Sequence, residues 1–143
     1  MAETDIDIEV NLDQFQKLAD NLAKNINPER ILDEASALIL SRIRRRFLAE
    51  TAPDGTKWKP SLAATNRRKK GNTGTLFNTG RLFRSIQSAA TGPNERSIFT
   101  DVEYAPYHQF GTSRLPQRKF LGVSNEDVDL VQRLIIKRIK DSI

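Results

Sequence analysis

Acidic and aliphatic residues alternate at the start of the chain, in Asp5-Ile6-Asp7-Ile8-Glu9-Val10. That period of two predicts a short strand with Ile6, Ile8 and Val10 on its buried face. The period then lengthens: Leu12, Phe15, Leu18, Leu22 and Ile26 fall at helical spacing, predicting a first helix. Asn27 and Pro28 supply a cap and a first turn for a second helix. Its apolar stripe of Ile31, Ala35, Leu38, Ile39, Ile43 and Phe47 extends to about Glu50. Arg42, Arg44, Arg45 and Arg46 occupy its last turns, where the negative end of the helix dipole favours cations.

Periodicity disappears from Thr51 to about Thr79. Pro53-Asp54-Gly55 is turn chemistry, and a polar, basic, glycine-bearing run follows it. Structureless loops of this length are uncommon inside compact domains. We expect an exposed basic loop at about 52–79, anchored by Trp58. From Thr79 to Tyr104 the pattern predicts a β-hairpin that turns at Gly92-Pro93-Asn94-Glu95, with Ile98, Thr100, Val102 and Tyr104 alternating against Phe99 and Asp101. Tyr104–Gly111 reads as a turn or helix stub. A second loop follows, with a short strand expected at Lys119–Gly122. Ser124 then caps a last helix, whose stripe is Val128, Val131, Leu134, Ile135, Ile139 and Ile143. This order of elements favours an α+β fold, a small antiparallel sheet packed against two or three helices, in one domain spanning residues 1–143.

Composition narrows the class. At 143 residues, 38% hydrophobic and 29% charged, the chain can bury one modest core. No apolar run approaches the ~20 residues of a membrane span. The acidic N-terminus is unlike a secretory leader, so a cytosolic, soluble chain without membrane contact is expected. With no cysteine and one histidine, a disulfide framework is excluded and a zinc site is ill-served. Charge is uneven within the net +5: residues 1–13 hold five acids and no base, whereas residues 42–84 hold twelve bases against Glu50 and Asp54. Such a block speaks of partners, either phosphate backbones or acidic protein surfaces. No helix-turn-helix, zinc finger or other sequence-reading module accompanies it.

Catalytic chemistry finds little to stand on. His108 is the sole imidazole base, and Tyr104, Tyr107 and Phe110 around it suit a packed corner better than a nucleophile's partner. The glycines of Gly71-Asn72-Thr73-Gly74 lack the Gly-Lys-Ser/Thr ending of a phosphate loop. Glu126, Asp127 and Asp129 lie in the first turn of a helix, where acids oppose the dipole. Neither an enzyme nor a cofactor is expected.

Four segments in order resemble the phage virion morphogenesis family, over about Arg45 to the C-terminus. They are PDGTKWKPSLAATNRRKKG, LFNTGRLFRSI, YAPYHQFG and RKFLGVS. The pattern falls on Pro53, Asp54, Gly55 and Trp58; on Thr79, Gly80, Leu82, Ser85 and Ile86; on Tyr104, Ala105, His108, Gln109, Phe110 and Gly111; and on Arg118, Phe120, Leu121 and Gly122. Lys119 stands where the family often has proline. The resemblance implies a non-enzymatic virion protein of tailed bacteriophages, made in the host cytoplasm and acting in tail completion and head–tail joining at the neck. It further implies a closed ring, commonly sixfold, that meets tail tube, tail terminator and connector proteins, with genomic DNA passing by. The interface residues expected on this basis are Trp58, Arg67, Arg68, Lys69, Lys70, Tyr104, Tyr107, His108, Gln109, Phe110, Arg118 and Phe120. The alternative is a DNA-binding protein, indifferent to sequence, that works through the basic loop.

Overall fold

The computed structural model describes residues 6–11, 27–60 and 80–141, the first of these stretches as backbone. Strand β1 (Ile6–Asn11) precedes the long helix α1 (Pro28–Ala49). A short helix, α2 (Arg81–Ser85), leads into the hairpin of β2 (Gln87–Gly92) and β3 (Glu95–Thr100). Helix α3 (Ala105–Phe110) and the C-terminal helix α4 (Asn125–Asp141) complete the order. The sheet runs β1-β3-β2 with both pairings antiparallel. Its register sets Ile8 opposite Ile98 and Glu9 opposite Ser97. This is the α+β architecture expected from the sequence.

Helix α1 begins and ends as its sequence dictates. Asn27 Oδ1 accepts from the amides of Glu29 (3.1 Å) and Arg30 (3.3 Å), and Pro28 takes the position where a missing N–H costs nothing. The helix stops at Glu50, whose left-handed φ of 59° lets the Thr51 amide reach back to Arg46 O at 2.9 Å. Ile31, Leu32, Ala35, Ile39, Ile43 and Phe47 form its buried stripe, packed on the sheet and on α4. Phe47 is the centre of an aromatic cluster, its ring centroid 5.3 Å from Trp58, 5.4 Å from Phe83 and 5.9 Å from Phe120. Truncating such a residue to alanine costs about 3–5 kcal/mol. Arg96, buried on β3, fastens the sheet to the start of α1 through Asp33 Oδ1 at 2.7 Å.

Three expectations need correction. The segment leading into the hairpin is helical over Arg81–Ser85, because Leu82 and Ile86 are both buried at a spacing of four. Strand β3 ends at Thr100 and does not run on to Tyr104. The Thr100 hydroxyl takes the Val102 amide at 3.3 Å, and Ala105 N then bonds Val102 O at 3.1 Å, turning the chain into α3. Lys119–Gly122 forms no strand, for a reason that lies in the site below. The helix expected over 12–26, residues 61–79 of the expected basic loop, including Arg67, Arg68, Lys69 and Lys70, and Ile143 lie outside the described residues.

Candidate functional site

Residues 117–123 run as a strap between α3 and α4, and several of their backbone groups are taken by side chains and by one carbonyl of α3 instead of by a neighbouring strand. Gln109, buried at the end of α3, holds the middle. Its Oε1 accepts from the amides of Phe120 (3.1 Å) and Leu121 (3.0 Å), while its Nε2 donates to Leu121 O at 2.8 Å. Trp58 Nε1 donates to Lys119 O at 2.9 Å. Arg46 Nη2 donates to Gly122 O at 2.8 Å, and the Arg118 amide donates to His108 O at 2.7 Å. A segment whose amides and carbonyls are taken in this way has no ladder to offer, so the expected short strand does not form.

The same contacts explain the spacing of the sequence motifs. Pro53 packs so closely on Gly122 that a Cβ there would lie 2.3 Å from the proline ring. Asp54 Oδ1 accepts the Thr56 amide at 2.9 Å, closing the turn that presents Pro53 and Trp58. Gly111 has φ of +75°, and a Cβ on it would sit 2.9 Å from Gln117 N. Trp58, Gln109, Arg118 and Phe120 are buried within the protomer. Tyr104 is half-buried, edge-on to His108 at 6.0 Å and beneath the Arg81 guanidinium at 5.6 Å. Tyr107 (55% exposed) and Phe110 (66%) project from the opposite side of α3. Of the expected interface residues inside the described region, these two aromatics are the ones left facing solvent.

His108 sits in this corner, in surroundings that disfavour its charged form. Its Nδ1 is buried without a hydrogen-bond partner. Burial, and then the nearby Arg118 cation, hold its pKa below the ordinary 6.5. Among the described residues no nucleophile or carboxylate bonds this Nδ1, the pairing by which a general base is oriented. Arg118 donates through Nε to Lys59 O at 2.8 Å, and burial pushes its own pKa down. Among the described residues no group of three or more His, Cys, Asp or Glu could hold a metal, and no helix is long and apolar enough to cross a membrane.

The family model for phage virion morphogenesis matches residues 10–140. The chain belongs to that family. It is similar to Mu-like prophage FluMu G protein 1 of Haemophilus influenzae, with 24% identity over 140 residues, covering 95% of this chain and 96% of the relative. It is also similar to tail completion protein S of Escherichia phage P2, with 23% identity over 149 residues, covering 90% of this chain and 99% of the relative. No solved structure gives a significant match.

In this virion morphogenesis protein one buried centre went unread in the sequence. Asp127, expected only as a first-turn acid opposing the helix dipole, is buried. It accepts from Arg42 Nε at 2.6 Å, from Arg46 Nη1 at 2.8 and 3.0 Å, and from the Ser124 amide at 3.0 Å. Its own amide returns a bond to Ser124 Oγ at 3.0 Å, a reciprocal cap for α4. Burial raises the pKa of this carboxyl, but the Ser124 amide and the two guanidinium groups outweigh it and hold it below the ordinary 3.8. The basic block is therefore partly spent inside the protomer. Arg42 and Arg46 serve Asp127, Arg44 donates to Ile86 O at 3.1 Å, and Arg81 pairs with Glu103 at 3.2 Å. The spacing of Ser124 and Asp127 was the available signal, since Ser-x-x-Asp can form a reciprocal cap. The pairing of α1 with α4 across more than eighty residues left none.

Proposed function

We propose that this protein is a non-enzymatic structural subunit that completes the tail of a bacteriophage and joins it to the head at the neck, acting as a closed ring of copies. The observation that carries the reading is the family match over 10–140, in a fold whose motif residues are spent on internal architecture. Gln109, Trp58, Arg118 and Phe120 build a stiff corner, and that corner holds Tyr107 and Phe110 in solvent. Exposed aromatics on a preorganised turn are the usual anchors of protein interfaces. The acidic N-terminal segment and the basic residues Arg67–Lys70 add complementary charge, which sets encounter rate and register. Tail tube, terminator and connector proteins are the partners this reading supplies. The DNA-binding alternative draws on the same basic block, and the pairing of Arg42, Arg46 and Arg81 with carboxylates leaves it less free charge.

Complementation of a phage lacking the protein tests the reading. Reversal of Arg67, Arg68, Lys69 and Lys70 to glutamate should leave the fold intact and slow head–tail joining, with a defect that shrinks as salt rises. Normal joining at low salt would remove this loop from the interface. Tight, salt-sensitive binding of the purified protein to DNA, without association with tails, would favour the alternative.

A further inference from the structure

Strand β2 forms one edge of the sheet and pairs only with β3 among the described residues. None of its six residues, Gln-Ser-Ala-Ala-Thr-Gly, is buried. Open edges of soluble proteins are usually guarded by a charge, a proline or a covering loop. This one has no charged residue and no proline, and Gln87, Ala89, Ala90 and Thr91 are exposed. The opposite edge is β1, where Asp7 and Glu9 alternate with aliphatic residues. Both edge strands run antiparallel to β3, so β1 and β2 run in the same direction on opposite sides of the sheet. A rotation about an axis along the strands preserves that direction, so the β2 edge of one copy can meet the β1 edge of the next and the contact can repeat until it closes.

We propose that the β2 edge is the docking strand for β1 of a neighbouring copy, joining the sheets of adjacent protomers by backbone hydrogen bonds. The inference rests on the ring reading above and names the surface that makes the ring. Charge selects the occupant. Two β1 edges brought together would oppose Asp7 and Glu9 of both copies, a destabilising like-charge arrangement. The uncharged β2 edge accepts an acidic strand without that conflict, and its backbone amides and carbonyls supply the bonds.

A chain without cysteine allows a clean test. Glu9 and Ala89 are both register partners of Ser97, so within one protomer they are two strand spacings apart, roughly 10 Å. A disulfide needs Cα atoms within about 7 Å, so an oxidised pair at these positions reports contact between copies. Asp7→Cys and Glu9→Cys would each be combined with Gln87→Cys and with Ala89→Cys in the full chain. Each double variant would be oxidised with copper phenanthroline and run on a non-reducing gel, with light scattering of the untreated protein in parallel. The expected result is a ladder of covalent oligomers from at least one combination and none from the single variants. Dimers from Ala89→Cys alone would overturn the proposal in favour of a twofold β2–β2 contact. Rings seen by scattering without any ladder would overturn it while leaving the ring reading intact. A chain that stays monomeric at every concentration, alone and on purified tails, would sink both.

Discussion

Two polar knots pin the strap 117–123, and they work by different physics. At its middle Gln109 satisfies two amides and one carbonyl with a single neutral side chain. At its end Asp127 gathers two arginines and a helix-capping serine around a buried charge, and one of those arginines, Arg46, also holds Gly122 O. A neutral knot costs little desolvation and is indifferent to pH and salt. A charged knot has a large desolvation penalty that only a full set of partners offsets. Geometry at the exposed aromatic corner therefore depends on the neutral knot, and the docking of α4 on α1 depends on the charged one.

The largest expected effect comes from removing the buried charge. Asp127→Asn keeps the shape but removes the counter-ion of Arg46 and leaves Arg42 only the exposed Glu126 at 3.3 Å, and should cost about 3–5 kcal/mol in urea unfolding. The wild-type protein should show the same dependence in acid. A carboxyl held below 3.8 contributes its full stability above that pH and loses it as the pH falls through the folded value. A variant as stable as wild type would mean that the arginines find solvent when Asp127 is gone.

Gln109→Ala should come next, at about 2–3 kcal/mol, because it strands buried amides of Phe120 and Leu121 and the Leu121 carbonyl. Gln109→Glu sharpens the comparison. It keeps an acceptor for the two amides but places a second acceptor against Leu121 O, and should lose a similar amount. If Gln109→Glu matched wild type at neutral pH, the Leu121 carbonyl would not depend on this side chain.

These two knots also mark what could be read from the sequence. Gln109 lies in the run Tyr104–Gly111, where a histidine, a glutamine, aromatics and a glycine crowd together, so its neighbourhood announced itself. The cap at Asn27, the stripe of α1, the hairpin and the capping serine of α4 were legible for the same reason: each is a local pattern with a local cause. Asp127 announced only a helix start, because its arginines lie on another element and become neighbours only when the two helices pack. The strap misread as a strand failed in the same way. Its apolar pair Phe120-Leu121 is buried as a strand's would be, but side chains from other elements took the backbone groups that a strand would have used. Long-range polar pairing decided both, and it leaves no period in the chain.

A smaller effect, at His108 beside the neutral knot, has its own pH window. Burial and Arg118 hold the pKa of His108 below 6.5 in the folded protein, so as the pH falls past that value the unfolded chain takes up a proton more readily. Stability should therefore decline on acidification below that value, well before Asp127 responds. His108→Gln should remove this first decline and leave the second. Thermal melts of both proteins between pH 7 and pH 3 would show one acid step or two. Identical profiles would mean that the imidazole is reached by solvent.

The smallest effect on the protomer, and the one that bears most on function, belongs to Phe110. Two-thirds of its surface is already in water, so Phe110→Ser should change stability by no more than about 0.5 kcal/mol. If the corner exists to present this ring, the same change should abolish or sharply slow tail completion in a complementation assay, and Tyr107→Ser should weaken it. Leu48 supplies the control, since it is apolar and 59% exposed but belongs to α1 and not to α3. Leu48→Gln should complement normally. Equal loss from Leu48→Gln and Phe110→Ser would mean that assembly reads general surface apolarity, and the stiffness built around Gln109 would then need another purpose. Loss from Phe110→Ser alone would tie that stiffness to the ring it holds in solvent.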